Sequence, residues 1–359
     1  MWKISVLEEH RTYMFTDKFV EELLLWAFRN RGLCKHDEIL KTRMSKQLRA
    51  LVNNKKYKDN FKNCMLDLSC CKRIGSVLQS FKIYTSQYHQ ILKGKVKPPK
   101  LLCEETMQDI ESTFEYLYKS LLNSKFFWEI YNPNGVYKTR QEVRAEQGKH
   151  KVCPYCDQNY ITSNRKSNMD HFLPISQFPF LSIHWANLIV ACSTCNGILI
   201  KDKNWYIPIL HPYFDPIEEV LYFSFNRSDR LIKVKARTGF SNFGKWKIRG
   251  ENMITLLKHT ESYEGLWIEV EDEQNRLEDK VKECYREYKD SLLSDSTVLE
   301  ILKCAVGVRE MDLLKVKRQK AYTKLKWDYG KEYVQHEGKE YIEFLRNEQQ
   351  EMFSQRIEG

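Results

Sequence analysis

A chain of 359 residues, 42% hydrophobic and 30% charged, carries enough apolar material for two or three domains and is too hydrophobic to be intrinsically disordered. No apolar run approaches the ~20 residues that a membrane helix requires. The opening Met1-Trp2-Lys3-Ile4-Ser5 runs into Glu8, Glu9, His10 and Arg11 without a signal-peptide core, so a cytoplasmic protein with no membrane association is expected. The formal net charge of +10 suits a polyanionic partner, while 11 cysteines, an odd number with no framework spacing, argue against a disulfide scaffold.

Residues 1–135 read as a helical N-terminal domain. Thr16 is a candidate cap for a helix whose apolar positions Phe19, Val20, Leu23, Leu24 and Phe28 follow a helical period and stop at Gly32. Met107, Ile110, Phe114, Leu117 and Leu121 repeat the pattern. Lys93–Lys100 (KGKVKPPK) between them is a linker by composition, and Tyr131-Asn132-Pro133-Asn134-Gly135 is a turn that closes the domain. Residues 150–216 change character to short apolar strings, turns and paired cysteines. A basic β-hairpin extension follows over 217–250: Leu221, Phe223 and Phe225 alternate, Asn226 to Asp229 turn, and Ile232, Val234 and Ala236 alternate again. Lys233, Lys235 and Arg237 occupy the other face of the second strand. They belong to a run of eight basic residues (Arg227, Arg230, Lys233, Lys235, Arg237, Lys245, Lys247, Arg249) against one acid, Asp229. A second basic stretch covers Lys315 to Lys331. Residues 251–359 are helical once more, with Tyr263, Trp267, Val270, Leu277, Val281, Cys284 and Tyr288 at steps of three and four.

The chemistry concentrates between Cys153 and Lys203. Cys153-x-x-Cys156 and Cys192-x-x-Cys195 stand 35 residues apart, a spacing that places four thiolates around one structural zinc and fills every coordination position with protein. Cys153-Pro154-Tyr155-Cys156 also matches the redox motif of glutaredoxin-like proteins, but no βαβ pattern flanks it. Inside the loop that the cysteines close lie Asp170-His171, Asn187-Leu188 and Cys195-Asn196, with Lys201 and Lys203 just beyond. His171 offers a base of ordinary pKa ~6.5. Asp170 and Asn196 offer hard oxygen ligands for Mg²⁺ or Mn²⁺, and Asn187 is suited to hold a loop by hydrogen bonds to backbone. Lys201 and Lys203 are candidate phosphate contacts, as are Lys233, Lys235 and Arg237.

The string Asp170-His171-x-x-Pro174, the Asn187-Leu188 pair and the Cys192-x-x-Cys195-Asn196-x-x-x-x-Lys201 end, framed by the cysteine knuckles, resemble the HNH (ββα-metal) endonuclease family in its Asn-ended variant. That resemblance implies an α+β fold: a zinc-stapled ββα core, with a helix starting near Ser193, between mainly helical N- and C-terminal regions. It implies that His171 is the general base, that Asp170 and Asn196 hold a catalytic Mg²⁺ or Mn²⁺, and that Asn187 supports the His171 loop. With the following Leu210–Asp215 string (LHPYFD) and the helical flanks, the layout is similar to HNH effector subunits of Septu and retron antiphage systems. Such proteins are partners of an ATPase sensor, which adds nucleic acid (DNA first) and an ATPase to the expected partners. Two other readings stay open: a catalytically silent zinc-stapled module for nucleic-acid binding or assembly, and a glutaredoxin-like redox protein.

Overall fold

Helices open the chain because its apolar residues recur every three or four positions. The computed structural model describes residues 1–4, 14–162, 167–237, 245–286 and 294–357. In helix α1 (Met14–Arg29), Phe15, Phe19, Val20, Leu23, Leu24 and Ala27 form the buried stripe. Phe19 packs edge-on against Phe127 and Tyr131 at 4.8 and 5.0 Å. Helices α2 (His36–Ile39), α3 (Lys46–Asn53), α4 (Lys58–Cys70), α5 (Ile74–Leu92), α6 (Glu104–Lys119), α7 (Lys125–Tyr131) and α8 (Arg140–Gly148) follow. Ser45, Ser124 and Thr139 cap α3, α7 and α8 by accepting an amide three residues on. Thr16 does not cap α1. The helix is already under way at Met14, and the Thr16 hydroxyl donates instead to the carbonyl of Ile183, at 2.8 Å.

The central segment contributes strand β1 (Ser167–His171) and strand β2 (Leu188–Cys192), paired antiparallel with His171 opposite Leu188 and Ser167 opposite Cys192. The helix expected near Ser193 is not formed. Residues 193–203 run as successive turns, in which the Gly197 carbonyl accepts from Ile200, Lys201 and Asp202. Gly197, Ile198 and Ile200 are weak helix formers, and Asp202 sits at φ +45°, so nothing local propagates a helix here. The central segment is therefore two strands followed by a turn segment, without the helix of the expected ββα core.

Beyond it stand α9 (Ile217–Val220), strands β3 (Leu221–Asn226) and β4 (Leu231–Ala236), and helices α10 (Trp246–Leu256), α11 (His259–Ser262), α12 (Trp267–Tyr285), α13 (Asp295–Lys315), α14 (Thr323–Gln335) and α15 (Glu337–Ile357). The hairpin alternates as its sequence predicts: Phe223, Ile232 and Val234 are buried, while Lys233, Lys235 and Arg237 are exposed. Val270, Leu277 and Val281 of the predicted C-terminal stripe are buried in α12, together with Glu273, which pairs with both nitrogens of the Arg309 fork at 2.7 Å. Tyr288 lies outside the described residues.

One continuous apolar core joins these parts, and both flanks reach into the central strands. From the N-terminal side, Tyr118 donates to the Met169 carbonyl (3.1 Å) and the Ser182 hydroxyl donates to the Phe114 carbonyl (3.1 Å). From the C-terminal side, Tyr263 donates to the Cys156 carbonyl (2.5 Å) and the Lys324 amide donates to Asp157 (2.7 Å). Of the histidines enclosed in the core, His211 and His259 are those whose burial pushes the imidazole down to about 3. A folded-state pKa below the unfolded ~6.5 leaves the unfolded chain binding more protons between those values, so this stability is complete above pH ~6.5 and is lost as pH falls toward 3. Lowering pH from 7 to 5 is expected to cost about 4 kcal/mol for the two together and about 5 °C in melting temperature. A melting temperature in the double variant His211→Gln, His259→Gln that falls as steeply with acid as the wild type's would refute this assignment.

Candidate functional site

Four buried thiols anchor the site. The Sγ atoms of Cys153, Cys156, Cys192 and Cys195 all lie within 4.8 Å of one another, and Cys156 and Cys192 approach to 4.0 Å. Sulfurs on a tetrahedral zinc with bonds of ~2.3 Å stand ~3.8 Å apart, so the cluster needs only slight contraction to hold the metal. Backbone and amide donors already point at the sulfurs: the Cys195 amide at Cys192 (3.4 Å), the Cys192 amide at Cys153 (3.3 Å) and the Asn159 side chain at Cys192 (3.7 Å). These observations fit a structural metal such as zinc. They do not suit a dithiol redox site, because burial pushes the Cys153 thiol up rather than activating it and residues 154–159 are turns with no helix N-terminus.

Asn187 is the clasp of the loop between β1 and β2. Fully buried, it accepts from the Leu173 amide (2.7 Å) and from Tyr88 (2.8 Å) through Oδ1, and donates to the carbonyls of Leu173 (3.0 Å) and Leu181 (3.3 Å) through Nδ2. All the hydrogen-bonding capacity of the amide is spent within the protein. Asn187→Ala strands four partners in the core, and a loss of about 3 kcal/mol in urea unfolding is expected; Asn187→Asp, which sets a carboxylate oxygen against the Leu173 and Leu181 carbonyls, should recover none of it.

His171 ends β1 and remains partly exposed. Its Nε2 lies 3.0 Å from the Ser182 carbonyl, an acceptor, so Nε2 carries the proton and Nδ1 keeps its lone pair. Burial pushes the imidazole down to about 4, which keeps the ring neutral at neutral pH. The Tyr118 ring meets it edge-on at 4.4 Å, and the Arg140 guanidinium covers the other ring at 4.1 Å. A neutral imidazole held in one tautomer, with a lone pair left on Nδ1, is equipped to take a proton from water.

Asp170 faces a different set of partners. Its two oxygens accept from Lys201 Nζ at 2.7 and 2.6 Å, Tyr155 donates to Oδ2 at 2.7 Å, and Lys201 also donates to the His171 carbonyl at 2.5 Å. Asp170 and Lys201 are only 3% and 2% exposed. Lys201 is thus buried in an ion pair and does not lie on a surface where it meets phosphate. Asn196 is partly exposed on the turn segment, its amide donating to the Cys192 carbonyl at 3.1 Å. Among the described residues no group of three or more His, Cys, Asp or Glu other than the four cysteines is placed to hold a metal. As arranged, Asp170 does not fit a divalent cation, because an ion on its carboxylate would lie against the Lys201 ammonium.

Of the remaining basic candidates, Lys203, Lys233, Lys235 and Arg237 are exposed. Arg249 and Lys324, counted by sequence within the two basic runs, are buried in ion pairs with Asp215 and Asp328. His211 lies inside the core, stacked on Phe214 at 4.7 Å. Tyr155, Tyr118, Tyr88 and Arg140 are the neighbours that sequence reasoning missed. The position of Tyr155 between the first cysteine pair was the one available signal.

The chain is 29% identical over 84 residues to the Septu protein PtuB of Bacillus thuringiensis, a match covering 23% of this chain and 33% of that protein. The similarity therefore spans about a third of the length of the relative. No family model matches the chain, and no solved structure matches it. No described helix is long and apolar enough to cross a membrane. The chain is a mixed α and β protein with two small sheets among the described residues, a buried four-cysteine cluster suited to a structural metal, and partial similarity to a Septu protein.

Proposed function

We propose that this chain is a nuclease of the HNH type that hydrolyses phosphodiester bonds in nucleic acid, DNA first, and that it serves as an effector in prokaryotic antiphage defence beside an ATPase sensor. The observation that carries the reading is the state of His171: neutral, fixed by Ser182 through Nε2, and open at Nδ1. Nδ1 accepts a proton from the attacking water as its oxygen bonds to phosphorus; the bond from phosphorus to the leaving oxygen breaks, and that oxygen takes a proton from solvent to become the hydroxyl end of the cut strand. Asn187 keeps the loop that carries the Ser182 carbonyl in place. Lys203, Lys233, Lys235 and Arg237 supply exposed positive charge for the backbone. No step is drawn through Asp170, whose carboxylate is occupied by Lys201. The partial similarity to a Septu protein supports the defence role and the partner.

The occupied carboxylate favours a second reading, a catalytically silent zinc-stapled module. Incubating the zinc-replete chain with supercoiled plasmid, single-stranded DNA and RNA, with and without Mn²⁺, separates the two. Cleavage that disappears in His171→Ala is expected. No cleavage of any substrate, alone or with a candidate ATPase present, would leave the silent module.

A further inference from the structure

Cys34 and Cys70 face each other across the turn that ends α1. Their Sγ atoms stand 4.0 Å apart, both residues are exposed, and 36 positions separate them in the chain. Gly32, at φ +81°, turns the backbone after α1 in a conformation that suits glycine. The turn is then pinned to the end of α4. The Gly32 amide donates to the Ser69 carbonyl at 2.9 Å, and the Ser69 hydroxyl donates to the Leu33 carbonyl at 2.8 Å. Both thiols rest on the same turn, Cys34 donating to the Gly32 carbonyl at 3.2 Å and Cys70 to the Leu33 carbonyl at 3.6 Å. Hydrogen bonds of the residues just before each cysteine thus hold the thiols together, and folding has already closed the loop that a cross-link would close.

A disulfide has its sulfurs ~2.05 Å apart, so the two must close by about 2 Å, a distance within reach of side-chain rotation. A metal site is a poor alternative: among the described residues no histidine, carboxylate or third cysteine joins the pair in a group placed to hold an ion. Cys156 and Cys192 reach the same separation, but inside the buried four-thiol cluster. Cys71, next to Cys70 in the chain, is 2% exposed and so is shielded from a reagent in solvent.

We propose that Cys34 and Cys70 are a reversible redox pair, which a low-molecular-weight disulfide such as glutathione disulfide converts to an intramolecular disulfide. Partial burial of the sulfur and the bond to Cys34 push the Cys70 thiol up, so Cys34 takes the first step. Cys34, its proton lost to solvent, attacks one sulfur of the small disulfide; the bond between its sulfurs breaks and one thiolate leaves, taking up a proton. Cys70 then loses its proton and attacks the Cys34 sulfur, and the second small thiol departs. Two electrons have passed from the protein pair to the reagent. The new bond ties the α1–α2 turn to the end of α4 and encloses α2, α3 and α4 in one covalent loop. Neither step depends on whether the chain cuts nucleic acid.

The test is to incubate the zinc-loaded full chain with glutathione disulfide, quench in acid, alkylate the remaining thiols and map the peptides by mass spectrometry. One peptide pair joining Cys34 to Cys70 is expected, with zinc still at about one per chain and both thiols recovered by dithiothreitol. Cys70→Ser should accumulate glutathione on Cys34. In the wild type that mixed species should be at least about 10-fold scarcer, because the second thiol displaces it within the molecule. The oxidised wild type should melt about 5 °C above the reduced chain. Glutathione retained on both Cys34 and Cys70 in the wild type overturns the proposal. So does a pair that stays reduced while the exposed Cys304 is modified, or a cross-link from either residue to a different cysteine. An oxidised chain that melts below the reduced one also overturns it, because the fold would then be strained by the bond rather than set to accept it.

Discussion

Replacing Cys192 by serine is expected to strip the structural metal from the chain and unfold the stretch between Cys153 and Cys195. The two cysteine pairs close a loop that holds few regular elements of its own, two five-residue strands and scattered turns. Structural zinc in comparable small modules contributes on the order of 10 kcal/mol to folding, as much as the whole stability of an ordinary domain. Cys192 is the most consequential of the four because it both accepts amide hydrogen bonds and ends β2 opposite Ser167. Losing the metal there releases the strand register that places Asp170 and His171. Zinc content by mass spectrometry should fall from about one per chain to none. The melting temperature should drop by about 7 °C or more, taking a loss of about 5 kcal/mol as the lower bound. Cys304→Ser, at an exposed position outside the cluster, should change neither. A Cys192→Ser protein that kept its zinc and its melting temperature would end the four-cysteine reading.

The parts of this molecule that sequence makes legible are those set by local spacing. Two Cys-x-x-Cys pairs leave little choice about what they form once folded together, and period-two alternation in Leu221–Asn226 and Leu231–Ala236 dictates a hairpin with one buried face. Asn187 is legible in the same way, because a buried amide beside two loop backbones has few alternatives to clasping them. What sequence does not carry is which long-range partner each charged group meets. Lys201 reads as a phosphate contact because lysines usually end in solvent, yet it turns inward to a carboxylate 31 positions away. Arg249 and Lys324 count toward basic runs for the same reason, and each is neutralised in the core by a single acid. Thr16 has the residue type of a helix cap, but tertiary packing gives its hydroxyl a carbonyl 167 residues away. The missing helix after Cys195 is a conflict of another kind. The family resemblance implies a helix there, while Gly197 and its β-branched neighbours disfavour one, and the local preference prevails.

His171→Ala is expected to reduce cleavage by about 10²- to 10⁴-fold, the usual worth of a positioned general base. The geometry also specifies which substitution distinguishes catalysis from structure. Nε2–H donates to Ser182 and helps hold the loop, whereas Nδ1 is the atom with a free lone pair. His171→Gln retains a donor for the Ser182 carbonyl but offers no basic nitrogen, so it should restore the wild-type melting temperature while leaving cleavage as low as in the alanine variant. Recovery of activity together with stability would instead assign His171 a structural role and place the base elsewhere. The pH profile adds a separate reading. With burial holding the imidazole at about 4, the basic form predominates at every pH above that, and the rate should vary little between pH 6 and 8 before falling as pH approaches 4. A midpoint near the ordinary ~6.5 would mean that the ring is solvated when substrate is bound. In that case the Tyr118 and Arg140 cover would have to open before water is activated, and Arg140→Ala, which removes part of that cover, should leave the midpoint where it is.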